Sequence, residues 1–146
     1  WTEQWLLLTT DQSRMFGAES KYTYGGLYDG TQQTMGLSVR YRPSYRFRAS
    51  VGVQHTQAAL NTPNLRFTNS LTTVKTSYSF TTNMFIDALS QYDAVSRQFN
   101  ANVRFNLIHH PLSDLFIVYN DQRILTPDAP VAGRGIIVKF TQMMSF

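Results

Sequence analysis

Residues Arg134–Phe146 read RGIIVKFTQMMSF. Ile136, Val138, Phe140, Met144 and Phe146 share one parity, broken by Gln142. Gly135, Lys139, Thr141 and Met143 share the other, with Ile137 as its apolar exception. Side chains two apart lie on the same face of a strand. One face is therefore greasy over most of thirteen residues, and the other is mostly polar. A strand with lipid on one side and a polar lumen on the other carries this pattern. An edge strand of a soluble sandwich is the rival reading, disfavoured because chain ends usually fray into water.

The same ending resembles the signal read by the barrel-assembly machinery of bacterial outer membranes. Lys139, Phe140, Met144 and Phe146 carry that resemblance, and Thr141 stands where a small Gly is expected.

Working outward, the 146 residues amount to one domain, or about eight membrane strands of roughly 9–11 residues each plus turns. Apolar residues make up 42%, charged residues 15% and aromatics 14%, with eight Tyr and ten Phe. This balance favours strands over helices. The longest apolar runs, around Trp5–Leu8 and Ile136–Val138, fall far short of the ~20 residues a membrane helix needs. There is no cysteine, which removes disulfides and thiolate metal sites. The formal charge is +4, and the basic residues alternate with apolar ones instead of clustering on one face, which argues against nucleic acid. The chain opens at Trp1 without a Met or a signal peptide, so a processed product, a fragment and an engineered piece all stay open.

Period-two alternation repeats along the chain. It is clearest over 32–42, where Met35, Leu37, Val39 and Tyr41 oppose Gly36, Ser38, Arg40 and Arg42, and it recurs over 45–57 and 99–108. Residues 14–27, 65–80, 84–92, 114–125 and 134–146 read as further strands, and 1–10 as the end of another. Asp29-Gly30 predicts a tight hairpin with positive φ, and Pro43 ends pairing at a turn. In 65–80 the apolar parity changes, which predicts a β-bulge near Ser70–Thr72 or a first half beyond the lipid. Every connection is short, so the prediction is an antiparallel meander of about eight strands plus an N-terminal strand stub. Turns at 11–13, 42–45, 81–83 and 109–113 fall at one end, the periplasmic one. Those at 28–31, 61–64, 94–97 and 126–133 fall at the extracellular end. Tyr41, Tyr45, Phe47, Phe80, Phe85 and Phe146 gather toward the first end, and Tyr22, Tyr24, Tyr28 and Tyr92 toward the second, as two interfacial girdles would.

Chemistry-bearing residues are few. His55, His109 and His110 form no triad with a Ser or Asp, and the two adjacent histidines lack further metal ligands. The polar parity carries a lumen charge cluster: Arg40, Arg42, Arg46, Arg48, Arg104 and Lys139, with Asp87, Asp93 and Glu19. Its acids have a remote glycosidase reading and a plainer one, pairing with lumen arginines. The four arginines around Pro43 line an anion-attracting mouth, pair with acids on strands missing from this chain, or meet phosphate-rich headgroups. No catalytic residue, metal or cofactor is expected.

Tyr28-Asp29-Gly30, Arg42-Pro43-Ser44, Gln91-Tyr92-Asp93, Asn102-Val103-Arg104-Phe105, Ser113–Asn120 and Val138-Lys139-Phe140-Thr141 occur in that order. Together they resemble the C-terminal part of a family of bacterial outer-membrane proteins of unassigned function. In that family a xylanase-type carbohydrate-binding module precedes a large β-barrel. His109-His110 and Leu112 depart from the pattern. The resemblance implies an all-β transmembrane barrel, with this chain as the C-terminal strands of a larger one, and a structural or porin-like, pore-forming role linked to carbohydrate binding or uptake. It implies outer-membrane lipid, the assembly machinery and further β-strands as partners, and offers no catalytic residue. The alternatives are an autonomous eight-stranded barrel acting as an anchor or adhesion module, a barrel enzyme of lipase or protease type, and a soluble β-sandwich binder.

Overall fold

The computed structural model describes residues 2–11, 13–61, 65–110, 113–126 and 133–142, with the backbone alone for His109 and His110. Met144 and Phe146, hence the aromatic end of the assembly signal, lie outside these residues, as do Pro63, Pro111 and Leu112.

Nine strands follow one another: β1 Glu3–Thr9, β2 Phe16–Leu27, β3 Gly30–Tyr41, β4 Phe47–Leu60, β5 Leu65–Ser79, β6 Met84–Asp93, β7 Gln98–His110, β8 Ser113–Ile124 and β9 Arg134–Thr141. They form one antiparallel sheet in the order β1 to β9, each strand pairing with its neighbours in sequence. The sheet is an open meander, with β1 and β9 at its two edges. The N-terminal stretch expected as a stub is a strand paired with β2 along its whole length, from Glu3↔Gly25 to Thr9↔Glu19.

The β2–β3 hairpin turns through Tyr28 and Asp29, and Leu27 pairs with Gly30. The positive φ falls on Tyr28 (52°), one residue before the expected Asp-Gly pair. Gly30 has a different constraint, for a Cβ there would run into the carbonyl oxygen of Ala59 in β4. The Asn61 side-chain amide donates to the Asp29 carbonyl, tying the β2–β3 turn to the end of β4.

No bulge interrupts β5. It pairs with β4 without a register shift from Leu60↔Leu65 to Phe47↔Tyr78, so Leu65, Phe67 and Leu71 stay on the parity of Thr73, Lys75 and Ser77. The irregularity lies elsewhere, between Ile108 and His110 opposite the start of β8.

The two faces of the sheet are unequal. Across β2–β5 one face carries Tyr22, Met35, Leu37, Val39, Val51, Val53 and Val74, and the other carries Glu19, Lys21, Ser38, Arg40, Ser50, Thr73 and Lys75. Along β3 the apolar set is exposed and the polar set is half-buried. Leu37 is 51% exposed and Val51 49%. Among the described residues the buried hydrophobic side chains are Ala58 and Val118. No conventional core holds this sheet; its order rests on backbone ladders and cross-strand pairs.

Candidate functional site: the polar face and its arginine cavity

The polar face is knitted by side-chain hydrogen bonds. Thr34 and Thr56 hydroxyls meet at 3.2 Å, Asn69 Nδ2 donates to Asp93 at 3.2 Å, Ser77 Oγ donates to Asp87 at 2.5 Å, and Asn102 Nδ2 donates to Asn120 at 2.5 Å. Where Gly36 and Gly52 leave the surface bare, a groove opens, bounded by Glu19, Lys21, Ser38, Gln54 and Thr73. Nothing but the Lys21 carbonyl oxygen, at 3.8 Å, would meet a Cβ at Gly36.

The expected charge cluster divides. Arg40, Arg42 and Arg48 converge on one cavity of about 200 Å³ at the end of the sheet bearing the 42–46 turn, and Arg14 completes its rim. Arg46 does not line it; its Nε donates to the Tyr45 hydroxyl at 2.9 Å and its guanidinium lies over the Tyr45 ring. Arg104, opposite Asp87 in register, places its guanidinium 5.4 Å from the centre of the Phe116 ring. Lys139 sits on the same face in β9, opposite Phe116, while Phe140 projects from the apolar face. Asp93 accepts from the backbone N–H groups of Val95 and Ser96 and so shapes the β6–β7 turn. Asp11–Arg14, Asp121–Arg123 and Asp121–Arg134 form ion pairs, and none of these three joins two of the nine residues expected as a cluster.

Arg14 escaped the sequence reading because it lies far from Pro43 in the chain. The Arg42 N–H donates to the Met15 carbonyl across the β2–β3 ladder at 2.7 Å, and that pairing brings Arg14 to the arginines. Reflection about the Tyr28-Asp29 turn was the signal that would have found it. The Asp11–Arg14 pair is long, 3.6 Å, and exposed. Hydrogen bonds from the Ser13 hydroxyl and then the Ser13 N–H hold the Asp11 carboxyl below its ordinary pKa.

The apolar face has ordered margins. Phe16, Tyr41, Phe47, Tyr78 and Phe80 form an unbroken row of ring contacts across β2–β5, with centroid separations from 4.7 to 6.5 Å. Phe85, expected in this girdle, lies on the polar face opposite Ser79 and Asn106. Toward the other end a polar chain crosses the same four strands. The Tyr22 hydroxyl donates to Gln33, Gln33 donates to Gln57, Gln57 meets His55, and His55 meets Ser70. His55 is thus a bridging group on the apolar face. Further along, Asp121 is buried, taking hydrogen bonds from Tyr119, Arg123 and Arg134.

No family model, curated protein or solved structure matches the chain.

Proposed function

We propose that this chain forms part of the wall of a transmembrane β-barrel in a bacterial outer membrane, with a structural, solute-conducting role and no chemistry of its own. The observation that carries the reading is the polarity of the sheet. Over β2–β4 apolar side chains such as Tyr22, Met35, Leu37, Val51 and Val53 are exposed between an aromatic row and a polar hydrogen-bonded chain, while along β3 the polar face is the sheltered one. A continuous exposed apolar surface of this kind is rare on a soluble monomer. A sandwich would bury its rings centrally, whereas Phe16, Tyr41, Phe47 and Tyr78 sit together near one end of their strands, where amphipathic rings meet a bilayer interface.

Lipid also demands that every backbone group be paired. The free edges of β1 and β9 then pair with each other or with further strands, from this polypeptide or another. The reading is tested with nitroxide labels on the chain refolded into lipid vesicles. Leu37, Val51 and Val103 are expected to be relaxed by oxygen dissolved in the bilayer. Ser38, Ser50 and Asn102 are expected to be relaxed by a water-soluble nickel chelate. Equal access of both reagents to both sets overturns it.

A further inference from the structure

We infer that the cavity between the Arg14 turn and β2, β3 and β4 is a discrete binding site for a small solute oxyanion carrying at least two negative charges, of phosphate to pyrophosphate size. Arg14, Arg40, Arg42 and Arg48 line it together with Gly17 and Met15. Among the described residues no carboxylate lies within ion-pair distance of Arg42 or Arg48, and Arg14 is held only by its long, exposed contact with Asp11. Glu19, the nearest acid on this face of β2, borders the glycine groove instead.

Convergence of like charges is unfavourable until an anion enters, and the guanidinium is the side chain suited to receive one. Its planar fork donates two parallel hydrogen bonds to an oxyanion and stays charged at any physiological pH. The forks of Arg42 and Arg48, with the charges of Arg14 and Arg40 beside them around about 200 Å³, exceed what one chloride can use, whereas a phosphate or pyrophosphate fits with a few waters. Gly17 lies beneath the Arg40 guanidinium, where a Cβ would come within 3.8 Å of Nη2, and its missing side chain keeps the floor low. That the ligand is a dissolved solute rests on the proposed function, in which lipid headgroups lie toward the opposite, apolar face; the site itself does not.

The arrangement needs neither a closed barrel nor a membrane, so its test is separable from that of the proposed function. The full chain, folded in neutral detergent micelles at low ionic strength, is titrated with pyrophosphate in a calorimeter, with chloride as the control anion. One saturable site is expected. Arg42→Gln and Arg48→Gln should each weaken binding at least tenfold. Arg46→Gln, whose guanidinium is engaged with Tyr45, should change it less than twofold. Should either Gln variant fail to fold, Arg42→Lys and Arg48→Lys retain the charge, lose the fork and should still weaken binding several-fold. Absence of saturable binding, or a loss with Arg46→Gln equal to that with Arg42→Gln, overturns the site in favour of a diffuse positive field.

Discussion

Phe16 and Tyr41 face each other across the β2–β3 ladder with ring centroids 4.7 Å apart and planes 29° from parallel. Tyr41 in turn presents an edge contact to Phe47 at 6.2 Å. Each ring therefore depends on the next for its orientation. Stacked aromatic pairs contribute ~1 kcal/mol beyond the area they cover. A double-mutant cycle with Phe16→Leu and Tyr41→Leu, read by guanidinium unfolding in vesicles, is expected to show a coupling of about 1 kcal/mol. Additive single effects would show that the row is mere proximity.

Gly30 and Gly36 should respond unequally to alanine. At Gly30 the new methyl meets the Ala59 carbonyl head-on, and β4 must shift to admit it. Overpacking of this kind costs about 1–3 kcal/mol. At Gly36 the methyl enters the open groove, and stability should stay within ~0.5 kcal/mol of the parent. Equal destabilisation by the two substitutions in chemical denaturation would refute the geometry at Gly30.

Asp121 joins β8 to the edge strand, for it accepts from Arg123 within β8 and from Arg134 at the start of β9. Asp121→Ala removes the shared acceptor and leaves two cations adjacent. Amide hydrogen exchange should accelerate several-fold in β9 while the β3–β4 ladder keeps its protection, since local opening samples the least-connected element first. Uniform acceleration across the sheet would mean that the acid supports the whole fold.

Much of the fold was legible because alternation is unambiguous when one face is apolar and the other is not. Met35–Tyr41 and Phe99–Leu107 announce both strand and face. The phase of β5 was not legible, because Phe67 and Leu71 belong to the polar side and only the register with β4 shows it. A bulge was the natural sequence-level repair; an unbroken ladder with apolar groups on the polar face is the outcome. Phe85 misled for a related reason: its nearness to the strand end placed it at the right height but said nothing of its side. Of the arginine site, three members were readable from their spacing around Pro43. Arg14 required knowing where the β2–β3 turn is centred, and Arg46 had to be discounted through a contact with its own neighbour, Tyr45.

The strict sequential order of the strands bears on how such a sheet is made. Every ladder joins segments that leave synthesis one after the other, so each hairpin can zip within microseconds and offer its outer strand as template for the next. The chain thereby avoids the slow search that long-range strand pairing imposes. The hazard moves to the growing margin, which at every stage displays a row of unsatisfied amides to any passing strand. Escort of that margin until its last partner arrives, more than guidance of the internal pairings, is the help this topology asks of a chaperone.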